Sequence, residues 1–363
     1  MNLPVESDIE TQKEKEIFSE FKKLNNEKVH ERVYELLLVK KRGVEVAKAP
    51  TDYLGLDSRE SMNSLLQNTL RGIVQSSSNK EILDAGAGSG EIMDWFFPKE
   101  LEKFIGHKKF FLNIIESSPK LIEGYKERVR KYRYVDLGKV YNEKLQDFCR
   151  VGGKFSQNSI DFINCMDSIY HLTDYTSNKF DPRADIVNLV KCFYGLLKPG
   201  GAIFISYHNT ESDFASINSE YYEKKLSDLT TTKRVKEIIQ ERKKLLCEGE
   251  ILKILRDEES KSKSSVKTTP RLESHNIATS FYARTLAELA AMGLFGEYLK
   301  LDNNRFDNNR LEYLLEKLKE SAAMDIAKGT RKRYGLSRAD RGREALWKIE
   351  YPLTICIIRK DKF

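Results

Sequence analysis

A chain of 363 residues can hold one large α/β domain with insertions or two smaller domains, and its 40% apolar and 32% charged residues supply both a core and a solvated surface. The net charge of +7 permits an acidic partner without requiring one. Five scattered cysteines (Cys149, Cys165, Cys192, Cys247 and Cys356), never spaced as CxxC, argue against a disulfide framework and a zinc site and for a reducing compartment.

The N-terminus opens on a charged stretch from Glu6 to Glu16, which is not the pattern of a signal peptide. No apolar run approaches the roughly 18 residues that would span a bilayer. The expected setting is cytoplasmic, with no membrane partner, and delivery by a secretion system that reads no cleaved signal stays compatible with it. Residues 8–41 read as helix, with Phe18, Phe21, Leu24, Val29 and Val33 recurring at helical spacing. A second helix over about 58–76 carries Leu65, Leu66, Leu70 and Ile73 on one face, before a turn-rich break at Ser76 to Asn79.

Beyond that break, short apolar strands alternate with helices, the signature of a parallel sheet with crossover helices. Strands are expected at 81–85, 110–115, about 138–141, 160–166, 202–206, 296–301 and 346–358, and helices notably at 119–132 and 185–197. The fold class is therefore α/β, a Rossmann-like doubly wound sheet. The last apolar stretch, Tyr351 to Ile358, has no helix after it and suits an antiparallel strand inserted last. Residues 211–275 break the rhythm: Val235, Ile238, Leu245, Leu246, Ile251 and Leu255 mark amphipathic helices, followed by a polar stretch at 257–269 that reads as a mobile loop. The expected organisation is a helical N-terminal extension (1–57), the cofactor-binding half of the core (58–210), a helical lid (211–275) and the C-terminal half of the core (276–363). The basic cluster at 329–343 (Arg331, Lys332, Arg333, Arg338, Arg341, Arg343) has only Tyr334 among its cations. It reads as a solvated loop and not as a nucleic-acid platform.

The chemistry starts at Asp84-Ala-Gly86-Ala-Gly88-Ser-Gly90, directly after one strand and before the apolar helix of Ile92, Trp95 and Phe96. Glycines there let the backbone turn sharply and approach a ligand, and a helix N-terminus offers free N–H groups to an anion. The spacing is GxGxG, not the GxGxxG of dinucleotide sites. The next strand ends in Glu116, followed by Ser117. A carboxylate at that tip can accept both hydroxyls of an adenosyl ribose, although a nicotinamide cofactor would use the same geometry. A further strand leads into Asp167-Ser-Ile-Tyr170-His171, and a helix then ends in Lys198-Pro199-Gly200-Gly201 before the next buried strand.

Together these features resemble the class I S-adenosylmethionine-dependent methyltransferases over roughly residues 60–363. Within that class, the stretches ILDAGAGSGEI, IIESSPKLIEGYKERV, IDFINCMDSIYHL and ATSFYARTLAELAAMGL are most similar to the histamine N-methyltransferase-like group. The resemblance implies a seven-stranded sheet with the last strand antiparallel, and S-adenosyl-L-methionine as cofactor. It places Gly86, Gly88 and Gly90 by the methionyl part, Glu116 by the ribose, Gln146 and Asp147 beside the adenine, and Met166 and Asp167 close to the sulfonium. Where the group has a glutamine touching substrate this chain has Asp167, and where it has an asparagine on the histamine amine this chain has Tyr351.

A sulfonium methyl is already activated, so transfer asks for a nucleophile held close, aligned and unprotonated. Asp167, Tyr170, His171, Tyr207, His208, Glu350 and Tyr351 gather at the expected edge and outline a polar, partly acidic pocket suited to an amine. The expected reaction is N-methylation of a small amine or imidazole-like acceptor by in-line displacement. A protein side chain as acceptor and a non-catalytic, S-adenosyl-ligand-binding regulatory protein are the alternatives.

Overall fold

A computed structural model describes residues 6–24, 28–29, 32, 56–74, 79–88, 90, 109–150, 155–166, 168–169, 172–173, 178–208, 213–224, 229–261, 266–278, 280–283, 285–294, 308–328, 336–341, 344–350 and 352–362. In chain order the elements are α1 (Glu6–Phe21), α2 (Leu56–Val74), β1 (Lys80–Ala85), β2 (Phe110–Ile115), α3 (Pro119–Val129), β3 (Val135–Tyr141), α4 (Leu145–Arg150), β4 (Ile160–Met166), α5 (Pro182–Leu196) and β5 (Leu197–His208). They continue as α6 (Asp213–Lys224), α7 (Leu229–Arg242), a π-helical turn (Lys243–Cys247), α8 (Glu250–Lys261), β6 (Thr268–Ile277), β7 (Ser280–Ala283), α9 (Leu286–Met292), α10 (Asn308–Lys328), β8 (Ser337–Arg341), β9 (Glu344–Glu350) and β10 (Leu353–Lys362). The chain divides into two compact units, one of residues 60–207, 234–277 and 353–363, the other of residues 1–59, 208–233 and 278–352.

The first unit holds a seven-stranded sheet in the order β3-β2-β1-β4-β5-β10-β6. β1 pairs parallel with β2 and β4, β2 with β3, and β4 with β5, while β10 and β6 run antiparallel along ten paired positions. β4 is buried at every position, as befits a central parallel strand, and its two polar residues, Asp161 and Asn164, are buried with it. The sequence reverses its direction of travel across the sheet between β1 and β4, the place where such sheets open a crevice beyond their strand ends.

Helix starts follow from local chemistry. α5 begins at Asp181, whose side chain accepts the Ala184 N–H, with Pro182 fixing the first turn, and it buries Ile186, Leu189, Val190 and Phe193. It ends where Leu197 turns extended at φ −64°, ψ 132°, and within β5 Gly200 at φ +92° redirects the strand. Between β2 and β3 the register shifts at Asn113. That buried amide accepts the Lys139 N–H at 2.9 Å and donates to Ile82 O and Glu81 Oε2, so a side chain supplies bonds the ladder drops.

The second unit packs α1, α6, α9 and α10 with a three-stranded sheet, β7-β9-β8, around Phe21, Ile217, Phe281, Leu289, Leu314 and Ile349. Arg310 is buried there and donates from Nε to Asn218 Oδ1 at 2.7 Å, and Asn218 in turn donates to Gly293 O. The sequence gives no hint of this sheet. Residues 346–358, expected as one strand, are two: β9 ends at Glu350 in the small sheet and β10 starts at Leu353 in the large one. Pro352 has no N–H to give to a ladder, and the chain changes sheets beside it.

Two further expectations are corrected. The loop expected at 257–269 is helix through Lys261 and strand from Thr268, and residues 262–265 lie outside the described residues. Within the basic cluster, Ser337–Arg341 is strand and not loop. The strand expected at 296–301 lies outside the described residues. No helix among the described residues is long and apolar enough to cross a membrane.

At the N-terminal ends of β1, β4 and β5, the buried Asp161 carboxylate accepts the Glu81 N–H at 2.8 Å and pairs with Lys198 at 2.6 Å and Lys80 at 3.5 Å. Lys80 is itself buried, so Asp161→Ala removes from this end of the sheet the carboxylate that meets Glu81 N–H, Lys198 and Lys80 together. A loss of about 3 kcal/mol is expected from urea unfolding followed by circular dichroism. Asp161→Asn, which keeps an acceptor for Glu81, should lose less.

Candidate functional site

The glycine loop leaves β1 with Gly86, Gly88 and Gly90 all at positive φ, +73°, +56° and +81°. L-residues with a side chain are strained there, so the loop's path is available only to glycine. Space forbids a side chain as well. A Cβ on Gly86 would lie 2.3 Å from Ser168 Cβ, and one on Gly90 would lie 2.7 Å from the Tyr125 ring. The loops after β1 and β4 therefore meet at Gly86 and Ser168 with no room between them.

Asp84, the next-to-last residue of β1, is 2% exposed. The Tyr125 hydroxyl donates to its Oδ2 at 2.7 Å and the Asn164 amide to its Oδ1 at 2.6 Å. Both carboxylate oxygens thus face protein donors, and Asp84 braces the loop from beneath. Tyr125 and Asn164 escaped the sequence reading. The available signal was Asn164 itself, an amide in the middle of the buried run of β4, where a polar group requires a partner.

Glu116 lies just past the tip of β2. Its Oε2 accepts the Gly88 N–H at 2.9 Å and its Oε1 accepts the Ser118 N–H at 2.8 Å. Asn142 holds the same corner by donating to Glu116 O and Ser117 O. Oε1 also meets the Ser117 hydroxyl at 3.5 Å, and Oε2 keeps a further lone pair to offer, which suits a hydroxyl of a vicinal diol. The glycine cradle and this carboxylate together fit the expected cofactor: backbone can approach it closely, and its ribose can be held at the tip of the second strand.

The remaining candidates are placed as follows. Gln146 donates to Leu172 O at 2.9 Å, tying the first turn of α4 to the segment after β4, while Asp147 is exposed with Arg150 at 3.5 Å. Met166, buried at the end of β4, pairs in register with Ser206 of β5. Arg242, buried at the end of α7, donates to Ile169 O at 3.1 Å and so holds the loop after β4. Tyr207 is buried, with its hydroxyl 2.8 Å from Cys247 Sγ, and burial pushes its ionisation well above the ordinary phenol range. It is a neutral donor there and not a base. Asp167, Tyr170, His171 and Tyr351, and the His208 side chain, lie outside what the structure describes.

The family described as methyltransferase domain matches residues 58–242, just over half of the chain. No curated protein sequence matches it. Among solved structures, a protein from Bacillus halodurans C-125 assigned as a methyltransferase is similar at 13% identity, covering 82% of this chain and 99% of that one, with a TM-score of 0.40. The Bacillus subtilis YcgJ protein is similar at 12% identity, covering 84% and 98%, with a TM-score of 0.40. A Haemonchus contortus phosphoethanolamine N-methyltransferase, solved with phosphomonomethylethanolamine and S-adenosylhomocysteine, is similar at 16% identity, covering 82% and 52%, with a TM-score of 0.35.

Gly86→Ala is expected to cost about 3 kcal/mol in urea unfolding, from positive-φ strain and the collision with Ser168 together. Adding Ser168→Gly should return the collision part, about 1 kcal/mol or more, and leave the strain part. Strict additivity of the two changes would show that the loops do not meet at this point.

Proposed function

This chain belongs to the methyltransferase-domain family and is an S-adenosylmethionine-dependent methyltransferase, and from that premise we propose that it methylates a nitrogen of a small, basic acceptor, an amine or an imidazole-like molecule. The cofactor, when bound, supplies a methyl group already activated on sulfur, so the protein's task is to hold donor and acceptor in line. In this reading Gly86, Gly88 and Gly90 give the backbone access to the methionyl part, Glu116 accepts the ribose hydroxyls, and Gln146 and Asp147 border the adenine.

The observation that carries the acceptor class is the pairing of Met166 with Ser206. It brings the ends of β4 and β5 side by side, and the residues that follow them in sequence are Asp167 and Tyr207. An acidic residue next to the methyl donor favours a cationic acceptor, yet it also holds an amine in its protonated, unreactive form. A proton must then leave before transfer. His171 is the proposed carrier toward solvent. Tyr207, neutral and engaged with Cys247, serves as a wall of the pocket in place of a base. Because Tyr351 stands in sequence where the histamine-methylating group has an asparagine, histamine should be a poor acceptor.

S-adenosylhomocysteine is expected to raise the melting temperature, because a ligand that binds only the folded state stabilises it by mass action. Glu116→Ala should weaken its affinity roughly 10- to 100-fold, the loss of one or two charge-assisted hydrogen bonds. In a methyl-transfer screen of amines, imidazoles, phenols and carboxylates, basic acceptors should be preferred. Their turnover should rise with pH through the acceptor's own ionisation range, and Asp167→Asn should lower acceptor affinity much more than cofactor affinity. Turnover of a phenol or an acid with no amine accepted would sink the nitrogen assignment, and methylation of a protein side chain alone would replace the small-acceptor reading.

A further inference from the structure

The first unit carries a pair of thiols that the transfer chemistry does not use. Cys247 ends the π-helical turn and is only half buried, whereas Cys356 sits in the middle of β10 and is fully buried. The Tyr207 hydroxyl lies 2.8 Å from Cys247 Sγ. The Cys356 thiol donates to Leu246 O at 3.6 Å, which seats its sulfur against the peptide that leads into Cys247. Ser274 of β6, opposite Cys356 in the strand register, has its hydroxyl 3.8 Å from Cys356 Sγ.

We propose that Cys247 and Cys356 form a peroxide-reactive pair, Cys247 as the thiolate that is oxidised and Cys356 as the thiol that resolves it. Three features assign the roles. Only Cys247 has access to solvent, so only it meets the oxidant. Its sulfur has a phenol donor in place, which favours the thiolate, and Tyr207 cannot compete for the charge because burial keeps it neutral. The second sulfur is held against the residue before Cys247, on a strand that pairs along its whole length.

The groups around Cys247 act in the same direction. The Cys356 hydrogen bond, then those of Tyr207 and Ser274, with the charge of Lys243 on its own turn, outweigh burial and pull the Cys247 thiol down to about 6. Arg242, at the head of the turn, donates to Ile169 O at 3.1 Å. The two thiols titrate as one unit, and the first proton leaves from the more exposed member.

The steps balance. The Cys247 thiolate attacks one oxygen of hydrogen peroxide, an S–O bond forms as the O–O bond breaks, and the leaving hydroxide takes a proton to become water. Cys356 sulfur then attacks Cys247 sulfur, an S–S bond forms, and the S–O bond breaks. The hydroxide that leaves takes the Cys356 proton as a second water. Two thiols are oxidised and one peroxide is reduced.

The test uses the full chain, hydrogen peroxide as oxidant and peptide mapping by mass spectrometry. Treatment with peroxide near pH 7 should give a Cys247–Cys356 cross-link reversed by dithiothreitol. In Cys356→Ser the same treatment should leave a sulfenic acid on Cys247, trapped by dimedone. Iodoacetamide should label Cys247 at least tenfold faster than Cys149, a thiol of similar exposure that a neighbouring Cys192 and burial push upward. The labelling rate should have its midpoint near pH 6, and Tyr207→Phe should move it toward the ordinary thiol range near 8.5. Labelling of Cys247 no faster than Cys149, or oxidation in the wild type that halts at sulfenic acid or crosses to another cysteine, would overturn the assignment.

Discussion

The arrangement of this site hangs on one buried carboxylate. Asp84 sits where β1 ends, out of water, and an ionised group there is tolerable only if donors surround it. Those donors come from two other elements, Tyr125 of α3 and Asn164 of β4. By answering the carboxylate's demand they fix β1, β4 and α3 in one geometry. The glycine loop begins at the next turn of the chain, so its strained path rests on a rigid base. Tyr125 has a second role, because its ring fills the space a side chain on Gly90 would take. The same residue both satisfies the carboxylate and requires the glycine.

Glu116 shows how preorganisation differs from occupancy. An unsupported glutamate at a strand tip would lose rotamer entropy on closing around a ligand. Here the N–H groups of Gly88 and Ser118 hold the carboxylate in place already, and Asn142 holds the backbone beneath it. The glycine loop thus positions the carboxylate as well as offering its own backbone. This corner is assembled out of three loops, and none of the three could assemble it alone.

The parts of this plan that were legible in the sequence are those written in contiguous residues. β1, β2 and β4 are apolar runs ending in a glycine, an acid or a turn, so strand, tip and loop could be read directly. What was not legible depended on distant partners. Nothing near Asp84 in sequence names Tyr125 or Asn164. β6 was missed because it is an edge strand, with a polar sequence that includes Pro270, and such strands lack the alternation that marks half-buried ones. The run across Tyr351 and Pro352 read as one strand because its apolar character continues on both sides. Only pairing partners reveal that the two halves serve different sheets.

The order of strands in the large sheet carries a consequence for how the protein is made. β10 lies between β5 and β6, yet it is the last strand to be synthesised. Until it emerges from the ribosome, β5 has an open edge and β6 has no partner, although both have been waiting since well before the second unit's final segment was translated. Long-range closure of this kind is slow and leaves unpaired edges exposed. Most of the sheet can form before β10 is made, but its completion waits for that strand. A nascent chain stalled just before β10 would carry a glycine loop and Glu116 in place and still present raw β edges to the cell's chaperones.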